Sequence, residues 1–270
     1  MQHDVAGNFK VIALMIAGTV YEQQDELAGI LLGQCLQENL EALRVGRRHD
    51  QIDTGAILRA DGNVPQEIAG RELPLGPYPT QSQFSATLFE NDIADAFVLS
   101  ILGETATTLV RQNQKGFLFY PAYVEQWSPA DRDWLRRDFS RIELLDVETS
   151  MRNLRGIIER IRRRSESPIL VYNVSSVVPG ETIHCLQGLG EIYSTRCRRF
   201  NLGLAELSED LGVSIVDVDS ILARAGADKL KIDAMHLTAD GYRLVAEEVV
   251  RILVDLGVIS TLQESKCVPV

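Results

Sequence analysis

Histidine and cysteine are scarce in this chain, four of each among 270 residues. Cys35, Cys185, Cys197 and Cys267 form no C-x-x-C pair, which excludes the common zinc and dithiol-redox patterns. Their low density in a chain of this size also argues against a disulfide scaffold. They read as reduced, structural thiols of a cytoplasmic protein unless position says otherwise. Long apolar runs are missing too. Val11–Val20 (VIALMIAGTV) is too short to span a bilayer, and Asp4 and a single lysine before it make no basic leader. It reads as a buried strand or helix. Basic residues are in deficit, 27 against 38 acidic, for a net charge of -11. Such a chain repels nucleic acid and anionic membranes at long range. There is no phosphate-binding glycine loop, no H-E-x-x-H and no G-x-S-x-G elbow; Gly188-Leu-Gly190 is too short for a dinucleotide fingerprint. No metal or resident cofactor is expected.

What remains is ordinary globular composition, 45% apolar and 24% charged, which can bury a sizeable core. Apolar runs alternate with amphipathic stretches. Ala28–Gly33, Ala94–Leu102, Pro168–Ser175 and Val213–Val218 read as buried strands. Leu36–Val45 repeats leucine at helical spacing. Ser128–Arg164 is helical with a break near Ser140–Asp146 and opens on Ser-Pro, a sound helix start. Glu191–Leu211 is a long amphipathic helix stopped at Gly212, and Gly241–Leu256 closes the chain's regular structure. The basic run Arg160–Arg164 reads as a solvated helix end. Strands separated by helices imply an α/β fold with a parallel sheet covered on both faces. Residues 46–85, rich in Gly, Pro and polar side chains, read as an irregular insertion in one domain spanning 1–270.

The most specific segment is Asp233-Ala-Met-His236-Leu-Thr-Ala-Asp-Gly241-Tyr242. An aspartate three residues before a histidine can accept from one imidazole nitrogen, fix the tautomer and leave the other nitrogen to act as a base. Thr238 or Asp240 can cap the helix that follows. The block D-x-x-H-x-T-x-x-G-Y before a final helix resembles the last motif of the SGNH/GDSL hydrolases. The preceding Arg199–Leu207 and Gly212–Asp219 are similar to the helix and strand that lead into it. The resemblance covers about 168–256 well and the rest less well. It implies a three-layer α/β/α fold with a flavodoxin-like parallel sheet, and an acyl-transfer site in which Asp233 orients His236.

The family carries its nucleophile just after the first strand, in a Gly-Asp-Ser-Leu turn. The matching stretch is Gly33-Gln34-Cys35-Leu36, with Cys35 in the serine position and Gln34 in that of the aspartate. A helix N-terminus and a nearby histidine both favour a thiolate, so the resemblance implies a Cys35–His236–Asp233 triad. For the oxyanion site the family's Gly-x-Asn-Asp falls on Gly103-Glu104-Thr105-Ala106, with Thr105 in the asparagine's place and Glu104 read as solvated or facing substrate. Gly55 and Gly62 compete for the family's other glycine. Asn173, Ser175 and Ser176 follow the third strand, at the edge where open α/β sheets bind ligands. Two readings follow. One is an ester or thioester hydrolase or acyltransferase, acting on a small-molecule or carbohydrate ester, with acetyl-CoA or another acyl donor if it is a transferase. The other is an inactive SGNH-like binding protein for a glycan, an acyl ligand or a partner protein.

Overall fold

The computed structural model describes residues 53–90, 94–177 and 190–259, together with the backbone strands 10–13 and 44–47. Five strands, β1 (Lys10–Ala13), β2 (Arg44–Arg47), β3 (Ala96–Ser100), β7 (Ile169–Tyr172) and β8 (Ser214–Val216), make one sheet in the order β2-β1-β3-β7-β8. Every pairing in it is parallel. The architecture is the α/β parallel sheet expected from the alternation of runs. β1 overlaps the start of the Val11–Val20 run, read as a buried strand or helix, so it precedes Ala28–Gly33, which falls outside the described residues. Of the helix read over Leu36–Val45, Arg44 and Val45 belong to β2 and the remainder falls outside the described residues.

Alternation along the strands fills both faces. Phe97, Leu99, Ile101, Ile169 and Val171 face one side. They pack on α1 (Thr54–Arg59), α4 (Val147–Arg162) and α5 (Tyr193–Leu211) through Ile57, Ile158, Phe200 and Leu204, all at most 1% exposed. Ala96, Val98, Leu170 and Val216 face the other side. There they meet α6 (Val218–Ala225), α7 (Ala227–Leu230) and α8 (Ala239–Asp255). Each fully buried aliphatic or aromatic side chain of this kind contributes roughly 1.5–3 kcal/mol. The helix ends follow their sequence signals. Asp146 caps α4 by accepting from Thr149 N at 2.7 Å. Gly212 closes α5 in the left-handed region at φ 59°, where a side chain would be strained. Arg160 is not a solvated helix end. It donates to Leu58 O at 3.1 Å and stacks 3.7 Å over Phe89.

A second, antiparallel sheet of β4 (Val110–Gln112), β5 (Leu118–Phe119) and β6 (Phe139–Arg141) follows β3 and has the order β5-β4-β6. Between β5 and β6 lies α3 (Pro129–Asp138), which starts on Ser128 with proline in its first turn. This sheet carries its own aromatic cluster of Phe119, Trp127, Trp134 and Phe139, joined by Tyr78 and Phe84. Residues 54–85, within the expected insertion, hold α1 and two single helical turns; Ile57 of α1 is part of the main core. Among the described residues no helix is long and apolar enough to cross a membrane.

Candidate active site

The strands of the parallel sheet all end at one edge, and the segment Leu230–Tyr242 lies across it. Its shape is set by backbone bonds. Ile232 N donates to His236 O at 2.8 Å and Thr238 N to Leu230 O at 2.8 Å, and an antiparallel bridge joins Lys231 to Leu237. Thr238 caps α8, accepting from Gly241 N at 3.3 Å, so the capping residue is Thr238 and not Asp240. Glycine is required at 241 because a Cβ there would meet Leu230 O at 2.6 Å. The motif's threonine and glycine are thus the parts that hold the loop against the helix.

Within this frame Asp233 Oδ2 lies 2.6 Å from His236 Nδ1, while Oδ1 accepts from Met235 N at 2.7 Å and His236 N at 2.8 Å. Burial pushes the Asp233 carboxyl up, but these hydrogen bonds outweigh it and hold the group below the usual carboxylate range. An ionised Asp233 keeps the ring proton on Nδ1 and leaves the lone pair on Nε2. The imidazole is 20% exposed and the carboxyl 47%. The structure thus brings the Asp233 and His236 side chains into direct contact.

The β3 edge differs. Gly103 opens α2 (Gly103–Ala106), and all four residues of that turn are buried. Thr105 is fully buried, donates its hydroxyl proton to Leu102 O at 2.7 Å and meets Tyr193 OH at 3.1 Å. Its assignment as an oxyanion donor is corrected on that ground: the proton is committed and the group does not reach solvent. Glu104 is corrected as well. It is 1% exposed, neither solvated nor facing a ligand, and accepts from Thr54 N and Ser150 Oγ. Burial raises its carboxyl to about 7, Asp53 nearby adds to the rise, and the two hydrogen bonds oppose it. Arg196 ties this turn to α5, donating to Glu104 O at 2.8 Å, Thr105 O at 3.1 Å and Leu145 O at 2.6 Å. Of the two glycines that competed for the oxyanion site, Gly62 donates its N–H to Phe84 O at 2.9 Å and Gly55 directs its own to the Asp53 carboxylate.

Asn173 leaves the end of β7 and fastens the next strand's loop. Its Nδ2 donates to Asp217 Oδ1 at 2.7 Å, and its Oδ1 accepts from Asp219 N at 3.1 Å. Asp219 in turn receives Ser176 N at 2.6 Å. Ser175 and Ser176 are both buried.

Beneath the 230–242 segment is a cavity between the ends of β3 and β7. Ser100, Leu102, Tyr172, Asn173, Lys231 and Met235 are among its lining residues. Lys231 and Tyr172 carried no sequence signal: an isolated lysine and a strand tyrosine match no motif. Lys231 is 6% exposed and donates to Val177 O at 2.7 Å. Burial pulls its ammonium down to about 8, against the pull of the Cys197, Asp219 and Asp233 side chains. Cys197 is buried on α5, and burial raises its thiol to about 11, as for a structural cysteine. Gln34 and Cys35 lie outside the described residues, as do the histidines at 3, 49 and 184. Among the described residues no cluster of three or more His, Cys, Asp or Glu is placed to hold a metal.

No family model matches the sequence, and no curated protein matches it. Solved structures do match in shape. A lipase/acylhydrolase from Enterococcus faecalis superposes with a TM-score of 0.53 at 14% identity, covering 91% of this chain and 95% of the other. The acetyl xylan esterase AlAXEase gives 0.52 at 11% identity, covering 91% and 100%. A Slackia heliotrinireducens protein assigned to the SGNH hydrolases gives 0.51 at 14%, covering 91% and 98%. Identities this low speak to architecture and not to activity. In its described residues, this chain has the fold of the SGNH/GDSL hydrolases.

Proposed function

We propose that the protein is an ester hydrolase in which His236 acts as general base and acid and Asp233 holds it. The observation that carries this reading is the 2.6 Å contact from Asp233 Oδ2 to His236 Nδ1, at the strand-end edge where α/β folds of this kind do their chemistry. In the reaction His236 Nε2 takes the proton from the nucleophile as it attacks the ester carbonyl. The same proton passes to the departing alkoxide, which leaves as an alcohol. Water, deprotonated by His236, then releases the acid from the acyl-enzyme.

Cys35 is the proposed nucleophile, giving a thioester intermediate. Thr19 is its competitor, since it is the first residue after Ala13, the end of β1, to carry a nucleophilic hydroxyl. Gly103 and Asn173 are the proposed oxyanion neighbours, Gln34 a substrate-facing one. Small acetyl esters, including those on carbohydrates, fit the fold's acetyl xylan esterase relative. A transferase would differ only in the hydroxyl that resolves the intermediate. The second reading, an inactive binding protein, is favoured by one observation: Thr105, in the position of the family's asparagine, spends its proton on Leu102 O.

The deciding experiment is intact-mass measurement after incubation with p-nitrophenyl acetate or acetyl-CoA, on wild type, Cys35→Ala, Thr19→Ala and His236→Ala. An acetyl adduct lost in one of the first two variants names the nucleophile, and the preferred donor separates esterase from transferase. Absence of adduct and turnover in folded wild type sinks the enzymatic reading.

A further inference from the structure

The cavity beside the dyad has an unusual distribution of polar groups. Most of its wall is aliphatic, with Leu102, Val174, Val218 and Leu237 among the contributors, and Lys231 is the one charged residue among the described residues of the lining. Ser100 and Ser175 spend their oxygens on nearby backbone N–H groups, of Leu102 at 3.1 Å and Val177 at 3.4 Å. Asn173 is engaged at both ends of its amide. Ser100 and Ser175 keep a neutral O–H and Asn173 a second N–H; two further groups differ in kind, a charged ammonium and a phenol. The Lys231 ammonium has three protons and uses one, toward Val177 O. Tyr172 is buried and makes no hydrogen bond among the described residues, and burial pushes its phenol upward so that it stays a donor. The carboxylates that feel Lys231 are occupied elsewhere, Asp219 by Ser176 and Asp233 by His236. A buried ammonium whose hydrogen bond among the described residues goes to a neutral carbonyl is an expensive arrangement that an anion would relieve.

We infer that this cavity takes a short aliphatic chain ending in a carboxylate, with the carboxylate held by Lys231 and Tyr172. A monoanion fits one cation and one hydroxyl, and the aliphatic wall fits its stem. The inference deepens the esterase reading and rests on it only for the claim that this chain is part of an ester substrate. Ala234 and Met235, between Asp233 and His236 in sequence, also line the cavity, so the bound chain adjoins the dyad. The preferred substrate is then an ester that carries a free carboxylate a few carbons from the scissile bond. This selectivity is local, because a chain with net charge -11 repels anions at a distance.

The test is calorimetric titration of the full chain with pentanoate and, separately, 1-pentanol, the same chain without charge. Wild type, Lys231→Met and Tyr172→Phe are compared. A hydrogen bond to a charged group makes wild type prefer pentanoate by about 10-fold or more. Lys231→Met abolishes the preference while still binding pentanol, and Tyr172→Phe reduces it. Equal affinities in wild type, a preference that survives Lys231→Met, or no saturable binding of either compound overturns the inference. Neither compound is an ester, so a protein that prefers pentanoate yet forms no acyl adduct loses the esterase reading and keeps the site; the reverse result does the opposite.

Discussion

Two stretches meet at the same sheet edge and treat their polar groups in opposite ways. In the loop from Leu230 to Tyr242 the backbone bonds are made internally, and the Asp233–His236 pair is left partly exposed. In the turn from Gly103 to Ala106, Glu104 and Thr105 are turned inward and bonded to Thr54, Ser150, Leu102 and Tyr193. The first stretch leaves its polar pair within reach of solvent, and the second holds α1, α4 and α5 to the end of β3. On the proposed reading, the site keeps its base while the turn that would carry an amide donor is part of the core. Residues matched by position along a strand do not share a role unless their burial also matches.

Removing the orientation of the base is the largest perturbation. In Asp233→Asn the retained oxygen can still accept from Met235 N and His236 N, so the loop keeps its shape. The new NH2 faces Nδ1 and favours the wrong tautomer. Ester turnover, kcat/KM, is expected to fall by about 10²- to 10⁴-fold with little loss of thermal stability. If stability falls and turnover per folded molecule does not, Asp233 is a structural partner and the contrast between the two stretches disappears.

The inward-facing side is read by pH. Glu104 is at about 7 in the folded chain against 4.5 as the ordinary value. A carboxyl raised on folding gives its full contribution below about 4.5, and that contribution is lost as pH rises toward about 7. This group should therefore remove a few kcal/mol of stability across that window. Glu104→Gln keeps an acceptor for Thr54 N and gains a donor toward Ser150 Oγ. Denaturant unfolding from pH 4.5 to 8 should show a flatter profile for the variant and greater stability than wild type at pH 8. Parallel profiles would mean that Glu104 is solvated after all.

The sequence carried the pair Asp233–His236 and its frame because every element of that motif is local. The threonine cap, the glycine under Leu230 O and the carboxylate three residues before the histidine all act within one segment. It carried the parallel sheet for a similar reason, since β3, β7 and β8 are apolar runs bounded by polar ones. It did not carry the start of the sheet. Ala28–Gly33 and the run that contains β1 are both short and apolar, and periodicity cannot rank two such runs. That choice placed the nucleophile turn at Gly33–Leu36, outside the described residues, while the sheet already has a strand that ends at Ala13. Burial of Glu104 and Thr105 was also invisible, because it depends on Ser150 and Tyr193, each more than forty positions away in sequence. Lys231 and Tyr172 were missed because burial of an ammonium and a phenol in one cavity is a fact of packing and leaves no mark on spacing.

Thr105→Val is the smallest expected effect and the sharpest division between the two stretches. Valine keeps the shape and loses the hydroxyl, leaving Leu102 O and Tyr193 OH without that partner in a fully buried place. Leu102 O still accepts from Thr105 N at 3.1 Å, so the loss is that of a net hydrogen bond, about 0.5–1.5 kcal/mol, which chemical denaturation would read directly. Turnover per folded molecule should stay near wild type, because the proton that valine removes was spent on a carbonyl. An oxyanion donor at this position would instead cost about 10²- to 10³-fold in kcat with stability nearly intact. The two results differ in which quantity moves as well as in size. A single variant thus decides whether the β3 turn has left the chemistry or still supplies a donor to it.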